Sequence, residues 1–185
     1  MKRFLAVAIV SSASIFAQQA TETQQTPQNG ADPKSCPLHA EHTRQQASIE
    51  DRFAEMNQRG SRAMGFDQAK TTHHFRTLPD GGAIEVTVKD AADTADLNAI
   101  RSHLTSIARE FREGNFAAPL MTHGEMPAGA ETMRKLKAKI AYRYEELPAG
   151  ARVRITTASP EALHAVHEFL AYQIREHRTD DLQKN

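Results

Sequence analysis

The chain writes one pattern twice, and that repeat limits its possible folds more than any other feature. Residues 71 to 89 read TTHHFRTLPDGGAIEVTVK, in which Ile84, Val86 and Val88 alternate with Glu85, Thr87 and Lys89 and so share one face of a half-buried strand. Phe75 takes the same face from the partner strand, so His73, two residues earlier, points inward while His74 and Arg76 point to solvent. Pro79-Asp80-Gly81-Gly82 supplies the turn. From Asp93 to Arg112, Leu97, Ile100, Leu104, Ile107 and Phe111 recur at helical spacing, with Gly114 as the stop. The same order then returns. Ile140, Tyr142 and Tyr144 alternate, Leu147-Pro148-Ala149-Gly150 turns, and Val153 and Ile155 alternate with Arg152 and Arg154. Ser159-Pro160-Glu161 opens a helix with Ser at the N-cap and Pro at the first helical position, carrying a stripe of Leu163, Val166, Leu170 and Ile174. Leu78-Pro79 matches Leu147-Pro148 and Arg109-Glu110 matches Arg175-Glu176, an offset of 69 residues on the strands and 66 on the helices. The expected fold is α+β, a tandem ββα duplication forming a four-stranded antiparallel sheet with two long helices on one face.

The remaining segments fall around this unit. Residues 1–17 have Lys2-Arg3 and then an apolar run too short to span a bilayer comfortably, the profile of a signal peptide. The mature chain is therefore expected to be periplasmic or secreted and not membrane-spanning. Residues 18–35, rich in Gln, Thr, Pro and Asn, read as a disordered linker. Residues 36–60 hold a Cys/His segment and a helix from about Thr43 to Gln58, with Ile49, Phe53 and Met56 on one face and Gly60 ending it. Residues 61–178 are the duplicated domain, beginning with a connector from Ser61 to Lys70, and 179–185 are a polar tail. Within the domain, Asn115 to Ala130 reads as a loop, followed by a short helix through Met133 and Leu136. Lys+Arg and Asp+Glu both number 23, so no charge excess directs the chain to nucleic acid.

Three groups of side chains carry possible chemistry. Cys36 is the only cysteine, so an exported chain has no internal disulfide for it. With His39 and His42 it forms Cys-x2-His-x2-His, a thiolate and two imidazoles able to converge on copper or zinc. Met121, His123 and Met126, with Met64, form a thioether–imidazole set suited to Cu(I). His73 and His103 form a third group, facing each other across the sheet–helix interface. Each group has a plainer reading: chance residues in a polar tail, gap-filling methionines, and buried histidines that satisfy carbonyls. His167 lies on the second helix stripe, and His164 and His177 read as surface or helix-end residues. No Gly-x-Ser-x-Gly, phosphate loop, dinucleotide fingerprint or His-Glu-x-x-His occurs, so an enzyme is the less expected reading, its one option being Cys36 as nucleophile with His39 or His42 as base.

The residues from Lys34 to Ala40 resemble the short Cys-Pro-x-His heavy-metal-binding segment found on periplasmic parts of copper and silver efflux systems. Leu38 stands where that segment has Met, and Ala40 where it has Pro. From Met64-Gly65-Phe66-Asp67-Gln68 through Thr71-Thr72-His73-His74-Phe75, and again at Ala151-Arg152-Val153-Arg154-Ile155-Thr156, the chain is similar to an uncharacterised family of small secreted bacterial proteins. The first resemblance implies a metal ion as ligand, and the second implies export. The expected function is binding of copper or zinc for buffering or handover, with another envelope protein as a candidate partner. The alternative is a non-enzymatic module that takes a small ligand or a protein in a pocket between sheet and helices, the Cys/His tail being incidental.

Overall fold

In a computed structural model of the protein, residues 37–181 are described, with side chains from Glu41 onward. The signal peptide, the linker, Cys36, the side chain of His39 and the last four residues lie outside that range. The elements run α1 (Pro37–Met64), a 3-10 turn (Gln68–Lys70), β1 (Thr71–Leu78), β2 (Gly81–Val88), α2 (Thr94–Glu113), α3 (Ala117–His123), α4 (Ala130–Lys135), a second 3-10 turn (Lys137–Lys139), β3 (Ile140–Leu147), β4 (Gly150–Thr157) and α5 (Pro160–Glu176).

The four strands form one antiparallel sheet in the order β1-β2-β4-β3. The alternation seen in the sequence fixes the register, because a slip of one residue would turn every apolar side chain to solvent. Phe75 pairs with Ile84 and His73 with Val86, so both sit on the face that meets the helices. Gly150 allows β2 and β4 to close, since a Cβ there would lie 1.9 Å from the Val86 carbonyl oxygen. The helices cross over: α2, from the first half, lies on β3 and β4, and α5, from the second half, lies on β1 and β2. The core between them is built from Ile100, Leu104 and Phe111 on α2, Val166, Phe169 and Leu170 on α5, and Val86, Val153 and Ile155 on the sheet.

Asp93 caps α2 by accepting from the Asp96 N–H at 3.0 Å, and Gly114 ends it in the left-handed conformation at φ 79°. Ser159 and Pro160 begin α5 as the sequence predicts. Each sheet edge has a backbone group capped by a side chain. Arg112 donates to the Tyr142 carbonyl on β3 at 2.8 Å, and Asp181 accepts from the Phe75 N–H on β1 at 3.0 Å, which leaves less free edge for another chain to pair with. The outer face of the sheet is covered by Arg152 between Glu85 and Glu145, by the Arg143–Glu145 pair and by the Arg154–Asp80 pair.

Three boundaries differ from the sequence reading. α1 does not stop at Gly60: it runs to Met64, and the stop is Gly65 at φ 82°, so the connector shrinks to the residues after it. Gly60 is buried within the helix, where Gln68 from the following turn covers it. The stretch Asn115 to Ala130 is not simply a loop but contains α3, with Pro119 inside its first turn, where proline is tolerated. The buried stripe of α5 differs from the predicted one: Leu163 is only half-buried, and Ala162, Ala165, Phe169, Tyr172 and Gln173 join Val166, Leu170 and Ile174. Among the described residues no helix is long and apolar enough to cross a membrane.

Candidate functional site

One end of the sheet–helix interface is not filled. A cavity of about 60 Å³ lies there, walled by Phe75, Ile84 and Val86 from the sheet, Leu104, Ile107 and Phe111 from α2, and Phe169 from α5. Into this apolar frame project His73 from β1, His103 from α2, His123 from the end of α3 and His177 from just past α5, together with Gln173 and Met64. The space is large enough to admit water or an ion with part of its shell.

The ring geometry is a connected chain. His73 and His177 stack at 5.3 Å between centroids with planes 16° apart, and His177 meets His123 edge to face at 5.3 Å. Phe66 lies against both His73, at 5.9 Å, and His103, at 5.8 Å, while Phe75 packs on His177 at 5.1 Å. These contacts fix the rings without occupying their nitrogens. His123 Nε2 is 3.0 Å from Gln173 Oε1; with that oxygen as acceptor, Nε2 carries the proton and Nδ1 the lone pair. His123 Nδ1, His73 Nε2 and Gln173 Nε2 are buried without a hydrogen-bond partner, a cost that a bound group would relieve.

Burial holds the imidazoles neutral. It takes His73 down to about 4, helped by the fields of His103, His74 and Lys89, and His103 down to about 4 by desolvation. Burial, with His73 and His123 as neighbours, keeps His177 well below the usual histidine range. His123 is lowered by burial, which its bond to Gln173 and the nearby Glu176 and Glu125 partly oppose. A neutral imidazole is the form that donates a lone pair to a metal.

The residues singled out from the sequence are distributed unevenly around this site. His73 and His103 reach the same cavity, with the Phe66 ring against both. Met121, His123 and Met126 are not brought together: Met121 is 62 % exposed and Met126 36 %, while His123 turns inward. His42 is exposed on α1. Cys36 and the side chain of His39 lie outside the described residues. His167 bonds the Leu78 and Gly81 carbonyls at 2.9 and 3.0 Å, which ties α5 to the first hairpin turn. His74 pairs with Asp181 at 2.9 Å. His177 does end α5, but its ring turns into the cavity and not to the surface, and Gln173 is a fully covered polar group that the sequence reading did not single out. Gln173 had a signal, since it follows Val166 by seven residues and Leu170 by three and so puts an amide on an apolar stripe.

The rings surround the space and do not converge on a point: among the described residues no three His, Cys, Asp or Glu side chains are placed to hold a metal ion. Among the described residues no carboxylate lines the cavity, and its side-chain oxygens are those of Gln173 and Thr122. No protein-family model, curated protein or solved structure matches the chain.

Proposed function

We propose that this is an exported, non-enzymatic protein that binds a transition-metal ion, copper in preference to zinc, for buffering or handover. The observation that carries the reading is that four imidazoles, from four separate segments, line one cavity, with ring nitrogens of His73 and His123 buried without a hydrogen-bond partner. Leucine or phenylalanine would fill such a space more cheaply than buried polar rings without partners. Imidazole suits copper, zinc, iron and nickel, and the Met64 thioether beside it favours Cu(I). Structural zinc is normally held by four ligands in a tetrahedron, for which the spread rings are poorly placed. A soft ion such as Cu(I) makes do with fewer ligands, and binding here requires the imidazoles to turn towards one another from their stacked arrangement. Export rests on the signal-like profile of residues 1–17. Cys36, His39 and His42 are the proposed second donor set, passing the ion to or from the cavity or an envelope partner.

A second reading draws on the apolar walls. Phe75, Leu104, Ile107 and Phe169 suit an uncharged small ligand whose polar atoms bond Gln173 and the imidazoles. Neutral imidazoles offer an anion no charge.

Competition titration of the full-length reduced protein with Cu(I) and with Zn(II), against a chromophoric chelator, separates the two. Stoichiometric Cu(I) uptake that falls at least about tenfold in His73→Phe or Met64→Leu, but survives Cys36→Ala/His39→Ala, supports the cavity as the site. Uptake abolished only by the Cys36→Ala/His39→Ala change moves the site to the tail. No uptake of either ion sinks the metal reading and leaves the small-ligand one.

A further inference from the structure

We infer that residues 177–181 form a latch over the histidine cavity, bolted to α1 by Arg178, and that a ligand reaches the cavity when this latch lifts. The inference deepens the proposed binding function, because it concerns entry to the same site.

The chain reverses direction immediately after α5. Arg178 has φ 51°, the sole non-glycine with positive φ among the described residues, and the Thr179 N–H closes the turn on the Ile174 carbonyl at 3.1 Å. An arginine in the left-handed region is held there by what its side chain does. Its guanidinium bonds both Glu50 carboxylate oxygens, at 3.0 and 2.9 Å, and lies over the Phe53 ring at 4.1 Å. Both partners are on α1. Beyond the turn, Asp181 accepts from His74 at 2.9 Å and from the Phe75 N–H at 3.0 Å, which docks the end of the segment on the free edge of β1.

Immediately before the first of these anchors, at the end of α5, His177 forms part of the cavity wall. Outside it is a polar cleft of about 560 Å³, and His73 and His177 line both spaces. A second cleft, of about 550 Å³, meets the cavity at His123, and Phe53 and Arg178 line both clefts. The Arg178–Phe53 contact is therefore a rib between two solvent-filled clefts, and the stacked imidazoles beneath it are the partition to the interior. Release requires little of the fold to move. The segment is held by an ion pair with both side chains more than a third exposed, the Arg178–Phe53 contact, the Asp181 carboxylate and the packing of the His177 ring on His73, Phe75 and His123, whereas Phe169 and Leu170 keep α5 in the core.

Site-resolved modification of histidine by diethyl pyrocarbonate, read by mass spectrometry at neutral pH, tests this without any ligand. His164, whose side chain is 77 % exposed, serves as the internal reference. Arg178→Gly removes the bolt while giving the left-handed position a residue that adopts it freely, and Glu50→Gln removes the partner charge and leaves α1 intact. The expected result is a rise of about tenfold at His73 and His177 relative to His164 in Arg178→Gly, and of a few-fold in Glu50→Gln, with urea midpoints near that of the unaltered protein. Unchanged ratios in both variants, with the proteins folded, overturn the latch. Faster modification in a protein that takes up neither Cu(I) nor Zn(II) keeps the latch and refutes the metal reading; metal uptake with unchanged ratios refutes the latch alone.

Discussion

Lowering the pH from 7 to 5 should destabilise this protein strongly, and the histidine cavity sets how much. His73 and His103 titrate at about 4 in the folded chain against 6.5 when unfolded. The sign follows from proton counting. Between those values the unfolded chain binds a proton that the folded chain refuses, so stability is complete above the unfolded value and is lost as pH falls towards the folded one. At about 1.4 kcal/mol per pKa unit, each imidazole forfeits about 2 kcal/mol between pH 7 and pH 5 and about 3 kcal/mol by pH 4. The pair thus removes about 4 kcal/mol by pH 5, a large part of the 5–15 kcal/mol typical of a domain, and His177 adds in the same direction. Asp80, Glu145 and Asp181 are held below their usual range by Arg154, by Arg152 and by hydrogen bonds from the Phe75 N–H and His74, so their contributions go mainly below this window. Urea unfolding at the two pH values is the assay. For a slope of about 2 kcal/mol/M, the midpoint should fall by about 2 M in the unaltered protein and by about 1 M in His73→Phe, whose ring keeps the stack but cannot titrate. A midpoint that does not change between pH 7 and pH 5, or a His73→Phe protein that retains the whole drop, refutes the reasoning.

Other substitutions test the frame around the site. Asp181→Ala leaves the Phe75 N–H and His74 without their partner and should cost about 1–2 kcal/mol in urea unfolding, with more self-association by light scattering as the β1 edge opens. Gly150→Ala forces a Cβ to 1.9 Å from the Val86 carbonyl oxygen in the middle of the sheet, and should cost about 3 kcal/mol in the same assay. Asp93→Ala removes the cap of α2 and should cost about 1 kcal/mol, a loss that Asp93→Asn recovers.

The hairpins and the two long helices were legible because alternation of period two and spacing of 3.6 record burial directly, and each is repeated. Even the inward side chains of His73 and His103 followed from position alone. The failures have local causes. Gly60 reads as a stop by propensity, yet the helix continues because Gln68 covers that position and Phe66, just past the true end, anchors in the core. α3 is too short to show a period and carries Pro119, so it reads as loop. His177 escaped because it lies one residue past the helix, where periodicity carries no information. The turn that directs it inward is made by an arginine in a conformation that sequence assigns to glycine. Met121 and Met126 invited a ligand set with His123 on proximity alone, but Met121 lies two residues before His123 on α3, on the opposite side of the helix, and Met126 lies past its end, so only His123 faces in.

Long-range ¹H–¹⁵N NMR of the ¹⁵N-histidine-labelled full-length protein, with one equivalent of Cu(I) added under reducing conditions, addresses the metal site most directly. The account predicts large nitrogen shifts at His73, His123 or His177, and none at His164 or His167. Shifts confined to His39 and His42, or no shift at any histidine, would contradict it.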